Sequence, residues 1–422
     1  MTPNELAELL RRGEDSTLEF KRDDVQNHDL AKELAAFLNL AGGTVLLGVD
    51  DSGAIVGGTR DALEEWVAEL CRVKIEPPVV PLMSWIRDAE PGRDVLVVQL
   101  PAGPDKPYAR VHDSRRTYCI RVGSTSREAS REELERMFQA SGRLHYGLKP
   151  VPGADWSAFD RRRLRDYFTR VLQGDAPEDT DRAEWEGLLR NMDFMTDSAD
   201  SCAASVDGLL LFGSAPQRFL PQSGIRAIRY TGAARDYATR ADEDIRGPMV
   251  FLGSADGETT EIGLVERALD FVRRNIEITA ELDRGRRIDR WEYPLDVIRE
   301  IMVNALVHRD YSIAGTDIML EIFTDRLEVT SPGRLPNTVT PEGMRRGLRY
   351  ARNQNLVNVM RDYAYMEARG MGIRSKVIPG MRAHNGTEPE LIAEEHRFIV
   401  RLLKAPMDMN LGQPAASRSI PG

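Results

Sequence analysis

Leu18-Glu19-Phe20-Lys21 alternates apolar and charged side chains, the period of a half-buried strand. That period sends Leu18 and Phe20 to a core and Glu19 and Lys21 to the opposite face. Over residues 29–40, Leu30, Leu34, Phe37 and Leu38 fall on one side, which predicts an amphipathic helix. Gly42-Gly43 stops it, Val45 to Val49 follows as a buried strand, and Asp50-Asp51-Ser52-Gly53 turns the chain. Helices near Ala62 to Cys71 and Arg131 to Gln139 and a strand near Asp94 to Leu100 complete the pattern, with a hairpin from Tyr108 to Gly123. Residues 1–140 therefore read as one α+β domain.

Residues 141–157, with Gly142, Gly147, Pro150, Pro152 and Gly153, have the composition of a linker. Residues 158–261 read as a middle helical unit. Helices are predicted over Arg161 to Leu172 and Arg182 to Asn191, and an apolar strand over Leu209 to Gly213, an order that could be winged-helix-like. A third unit, 262–405, opens with a helix from Glu266 to Ala280. A second helix, Leu295 to Tyr311, turns Val297, Ile301 and Leu306 to the core, and strands follow at Ile318 to Phe323 and Leu327 to Val329. Residues 406–422 read as a disordered Pro/Ala/Ser tail.

A chain of 422 residues calls for two or three cores. Its mean hydropathy of -0.40 is that of a globular protein. No apolar run has the length of a membrane helix, and Met1 to Arg12 lacks a signal-peptide pattern. Cys71, Cys119 and Cys202 form neither a zinc spacing nor a disulfide framework, which points to a cytoplasmic protein. The formal net charge of -10 means that nucleic acid could bind only at a local basic patch. The hairpin supplies Arg110, Arg115, Arg116 and Arg121 beside tyrosines, a mixture suited to phosphate contact and base stacking.

Two constellations carry candidate chemistry. Glu19 and Lys21 on one strand, with Asp50 and Asp51 ending the next, could converge with Glu14 on one surface. Carboxylates so placed bind Mg²⁺ or Mn²⁺ and activate water, or simply solvate a strand edge. Glu300 and Asn304 stand one helical turn apart, able to orient a water and hold a Mg²⁺ that carries nucleotide phosphates. The glycine-bearing turn Arg369-Gly370-Met371-Gly372 could offer backbone N–H groups to those phosphates, or end a helix.

Glu14-x4-Glu19-Phe20-Lys21, Asn39-x2-Gly42-Gly43 and Gly48-Val49-Asp50-Asp51-x-Gly53-x-Ile55-x-Gly57 resemble the AlbA_2 domain of Schlafen proteins. The resemblance implies a three-carboxylate metal centre that cuts RNA, on Glu14, Glu19 and Asp51, with Asp50 as a further ligand and Lys21 on the phosphate. Residues 262–405 resemble the GHKL-type, or Bergerat, ATP-binding α/β sandwich of gyrase B subunits and histidine kinases. That resemblance makes Glu300 the water-activating residue and Asn304 the magnesium ligand. It puts Ser331, Gly333, Arg369, Gly370 and Gly372 around ATP. Ser331 stands where the wider fold has an adenine-binding aspartate, Leu335 where a second glycine is usual, and Gln354 where relatives often have proline.

Together these resemblances imply a metal-dependent endoribonuclease acting on tRNA or other structured RNA, gated by ATP, in stress or phage defence. The alternatives are an ATP-responsive DNA-binding transcriptional regulator without nuclease activity, or an ATPase adaptor. RNA or DNA, ATP and a second copy of the chain are the expected partners, with a two-fold dimer the simplest assembly.

Overall fold

The computed structural model describes residues 2–404 apart from 104, 142–143, 199–200, 255–257, 284–285, 337–338, 349, 367–371 and 395. The chain is mixed α+β and divides into two compact units at His145 and Tyr146.

The first unit runs α1 (Pro3–Arg12), β1 (Leu18–Lys21), α2 (Asn27–Asn39), β2 (Gly42–Leu47), α3 (Leu63–Val73), β3 (Ile75–Glu76), β4 (Leu82–Glu90) and β5 (Arg93–Pro101). It continues with β6 (Ala109–His112), β7 (Arg115–Val122), β8 (Thr125–Glu128) and α4 (Arg131–Ala140). Thr2 and Glu5 form a capping box that starts α1. One sheet has the order β1-β2-β5-β4 and a second the order β3-β6-β7-β8. β1 lies parallel to β2, with Glu19 opposite Val45 and Lys21 opposite Leu47.

Alternation along β2 and β5 explains why the first sheet is covered on both faces. Val45, Leu47, Leu96 and Val98 pack with Leu30, Leu34 and Phe37 of α2 and Val67 of α3. Leu46, Val95 and Val97 pack on the other side with Phe20 and with Leu6 of α1. Gly43 is required where it stands, because a Cβ there would overlap the Phe37 ring.

The second unit contains α5 (Arg161–Asp166), α6 (Arg182–Asn191), β9 (Met195–Ser198), β10 (Ser201–Ala204), α7 (Val206–Phe212), β11 (Ile225–Tyr230), β12 (Thr239–Ile245), β13 (Leu252–Gly253), β14 (Thr259–Glu261) and α8 (Leu264–Asn275). There follow β15 (Ile278–Asp283), β16 (Arg286–Trp291), α9 (Leu295–His308), β17 (Ile318–Ile322), β18 (Arg326–Pro332), α10 (Pro341–Arg346), α11 (Gln354–Asp362), α12 (Ile378–Asn385), β19 (Glu390–Ala393) and β20 (Arg397–Leu403). Tyr167–Val171 and Ile373–Val377 are π-helical turns. A six-stranded sheet in the order β12-β11-β17-β18-β20-β19 forms its centre.

Several sequence expectations change here. β11 pairs in parallel with β17, so the segment read as a middle unit shares a sheet and one core with the segment from 262 onward. Val151, Ala154 and Trp156, read as linker, belong to that core. The apolar run Leu209 to Gly213 is not a strand: Leu209 to Phe212 form the second half of α7, buried on all sides, and Gly213 follows its end. A short apolar run has no period to separate the two forms, and Ser205 caps a helix by accepting from the Gly208 N–H at 3.0 Å. The helix expected to reach Ala280 ends at Asn275, after which Ile276, Ile278 and Thr279 favour an extended chain. The tail at 406–422 lies outside the described residues. Among those described, no helix is long and apolar enough to cross a membrane.

Candidate functional site

In the first unit the strand register brings Glu14, Glu19 and Lys21 together. Glu14 accepts the Phe20 N–H at 2.9 Å, which ties the loop before β1 to the strand. Lys21 donates to Glu19 and to the Phe20 carbonyl at 2.9 Å, and its Nζ lies 3.9 Å from Glu14. Burial opposes the charge on Lys21, yet the hydrogen bond to Glu19 and the nearness of Glu14 and Glu33 outweigh it and raise its pKa. Burial holds the Glu14 carboxyl above the usual range, opposed by the Phe20 N–H and reinforced by Glu19 and Asp51.

Glu19 does not stand on an open face as its strand period predicts. It is buried because α2 and β7 cover it, and Arg121 comes down between Glu19 and Glu33. This corrects the reading of Arg121 as a nucleic-acid contact. Its side chain is fully buried, bonds Glu19, Glu33 at 2.6 Å and the carbonyls of Asp15 at 2.9 Å and Leu18 at 3.2 Å, and lies over the Phe37 ring. Glu33 was legible as an anomaly, since it interrupts the apolar stripe Leu30, Leu34, Phe37 at i+3 from Leu30. A charge in such a stripe calls for a buried partner.

Asp50 also leaves the expected metal set. Its carboxylate accepts from Ser52 N at 2.9 Å, Ser52 Oγ at 2.6 Å and Ala54 N at 3.0 Å, closing its own turn and lowering its pKa. Asp51 is exposed, close enough to act on the Glu14 charge. Among the described residues, no three His, Cys, Asp or Glu side chains converge so as to hold a metal. With one Glu19 oxygen given to Lys21 and the other to Arg121, the carboxylates as arranged do not fit a divalent ion.

The hairpin of β6 and β7 is fixed to α2 by Asn39, whose amide donates to the carbonyls of Tyr108 and Cys119 and whose oxygen accepts the Tyr108 N–H. Arg115 is exposed, its side chain without a hydrogen bond or ion pair among the described residues. Arg116 is exposed but gripped by Glu76 through two bonds, at 2.7 and 2.9 Å. Arg110 is half-buried, with its Nε unpaired.

In the second unit α9 turns Glu300 and Asn304 the same way. Asn304 donates to Glu300 at 3.1 Å, and Lys376, carried on the π-helical turn, reaches Glu300 at 3.6 Å. The backbone of Gly372 lies directly against the Glu300 carboxylate, where any Cβ would overlap it. Sequence reading missed Lys376, which stands four residues beyond Gly372, one turn further along the chain. Ser331 donates to the Ala305 carbonyl at 3.0 Å, which sets it beside the same helix. Gly333 takes φ +110 and leaves room for Arg352 and Asp310, whose atoms a Cβ would meet at 2.6 Å. Arg369 and Gly370 lie outside the described residues. Glu300, Asn304 and the bare backbone of Gly372 thus converge at one point on α9, with Ser331 of β18 beside Ala305 and Gly333 beside Asp310, past the end of that helix.

Comparisons with known proteins follow the division of the sites. Residues 14–130 match the family described as "Schlafen, AlbA_2". Residues 315–402 match that described as "Putative ATP-dependent DNA helicase recG C-terminal", a span that begins beyond Glu300 and Asn304. No curated protein matches the chain. The DIP2311 protein of Corynebacterium diphtheriae is 21% identical over 92% of this chain and 75% of its own, with a TM-score of 0.43. The N-terminal domain of a RecG-related protein from Nitrosomonas europaea, titled a "Putative ATP-dependent DNA Helicase", is 24% identical over 31% of this chain and 94% of its own, with a TM-score of 0.25. The chain thus joins a Schlafen AlbA_2 segment to a recG C-terminal segment, which marks it as a nucleic-acid-related protein.

Proposed function

We propose that this chain is a nucleotide-responsive nucleic-acid-binding protein. The observation that carries the reading is the cradle in the second unit, where Glu300 and Asn304 lie beneath the bare backbone of Gly372. In this reading Asn304 holds the Mg²⁺ of bound ATP and the backbone at Gly372 flanks the phosphates. Ser331 and Gly333 line the far end. Glu300 is placed to orient a water, but its carboxylate is shared with Lys376, so binding is favoured over rapid hydrolysis.

The nucleic-acid surface in this reading is the hairpin of the first unit. Among the described residues of the hairpin Arg115, at the start of β7, is exposed and its side chain is unpaired, with half-buried Arg110 and the Glu76-bound Arg116 nearby. A two-fold dimer would set two such hairpins along one groove. Binding needs no divalent metal in the first unit, because Glu19 is already neutralised by Lys21 and Arg121.

The test is direct binding of labelled single-stranded RNA, duplex RNA and duplex DNA to the full chain in EDTA, with ATP binding measured by calorimetry in Mg²⁺. Binding of at least one nucleic acid and of nucleotide is expected. Failure of either would overturn the reading. RNA cleavage that needs Mn²⁺ and disappears in Glu19→Gln would replace it with the endoribonuclease reading.

A further inference from the structure

Lys21 occupies an unusual position for a strand lysine. Its ammonium is hydrogen-bonded to Glu19 and to the Phe20 carbonyl, and Glu14 stands 3.9 Å away, so three oxygens of two carboxylates and one carbonyl surround it. A divalent ion at these carboxylates needs oxygens at about 2.0–2.6 Å. Such an ion would have to share Glu19 with the ammonium. An ammonium and a divalent ion side by side at a near-surface dielectric repel twice as strongly as two unit charges at the same distance. The other Glu19 oxygen offers no way round, because fully buried Arg121 holds it.

We infer that Lys21 is the resident cation of this site, taking the place that a divalent ion would need between Glu14 and Glu19. Arg121 is fixed by six hydrogen-bonded contacts in the core, whereas Lys21 sits at the surface edge with its side chain about one-fifth exposed. Of the two cations Lys21 is therefore the one whose removal opens the carboxylates without dismantling the fold. The sequence motif alone gives the opposite expectation, a lysine that serves a metal centre rather than one that excludes it.

The experiment measures Mn²⁺ binding to the full chain by calorimetry and by the loss of free Mn²⁺ resonance signal, with nucleotide absent. Lys21→Met and Lys21→Gln should bind Mn²⁺ about tenfold or more tightly than wild type, the effect of removing one unit charge beside the ion. Adding Glu19→Gln to either should abolish the gain, and Lys21→Arg, which keeps the charge, should behave as wild type. Circular dichroism confirms that each variant is folded, and two different neutral substitutions guard against one failing to fold. Equal Mn²⁺ affinity in wild type and both neutral variants would overturn the inference. The outcome is separable from the binding function proposed above, which is read in EDTA. A chain that binds nucleic acid yet shows no Lys21 effect loses only the resident cation. A chain that gains Mn²⁺ in Lys21→Met yet binds no nucleic acid loses only the proposed function.

Discussion

Arg121→Met should destabilise the first unit strongly, although Arg121 was expected to be a surface residue. The guanidinium is wholly buried and stands between Glu19 and Glu33, themselves almost inaccessible. It also satisfies the Asp15 and Leu18 carbonyls and the Ser126 hydroxyl at 3.4 Å. Methionine fills much of the volume but leaves both carboxylates without their shared counter-ion. Removing one partner of a buried ion pair costs about 3–5 kcal/mol, because the remaining charge is left uncompensated. Lys21 still contacts Glu19, which favours the lower end, but among the described residues Glu33 is left with Ser126 and a Lys32 ammonium at 3.9 Å. A loss of about 3–5 kcal/mol is a large share of a domain's total stability of roughly 5–15 kcal/mol. Urea denaturation of the full chain, followed by tryptophan fluorescence and far-ultraviolet circular dichroism, should show an early transition in Arg121→Met. The double variant Arg121→Met with Glu33→Gln should recover part of the loss. A single change of less than about 1 kcal/mol, the size of a surface pair, would refute the burial argument.

Three further outcomes follow from other sites. Asp207 on α7 is buried with one oxygen unpaired, and burial, helped by Asp193, raises its pKa to about 7. A raised folded pKa gives stability that is present below about pH 4 and lost as pH rises through 7, so Asp207→Asn should match wild type at pH 4 and exceed it by roughly 4 kcal/mol at pH 8; thermal melts showing no pH-dependent difference would contradict this. Gly372→Val should remove ATP binding because its Cβ would strike Glu300, and Asn304→Ala should weaken Mg²⁺-ATP about tenfold or more; calorimetry finding Gly372→Val unchanged would refute the cradle. Arg115→Glu should weaken nucleic-acid binding and lower its salt slope by about one, and the effect of Arg116→Glu should be smaller because Glu76 already holds that side chain; equal effects would place the surface elsewhere.

The local architecture was largely legible in the sequence where periodicity was long. Residues 29–40 and 295–311 carry enough turns for the stripe of Leu30, Leu34 and Phe37, or of Val297, Ile301 and Leu306, to declare a helix, although the second ends at His308 rather than Tyr311. The i, i+4 spacing of Glu300 and Asn304 sets their shared direction without help from any tertiary contact. What could not be read was which charges would be covered. Period two put Glu19 on the face opposite Leu18 and Phe20, but nothing local says that β7 returns over that face with Arg121 and buries it. The paired fate of Asp50 and Asp51 depends on turn geometry, where one carboxylate is consumed by Ser52 and Ala54 and its neighbour is not. The short run at 209–213 lacked any period, so its helix is set by the Ser205 cap and the surrounding core.

In the proposed function the nucleotide cradle and the nucleic-acid surface belong to one responsive protein. The most direct measurement is fluorescence anisotropy of the preferred nucleic acid with the full chain, titrated without nucleotide, with saturating Mg²⁺-ATP and with Mg²⁺-ADP. ATP should shift the dissociation constant by about fivefold or more, the scale of a coupling near 1 kcal/mol, and Asn304→Ala should remove the shift while leaving the nucleotide-free affinity unchanged. An identical dissociation constant under all three conditions, in a protein shown to bind both ligands, would contradict it.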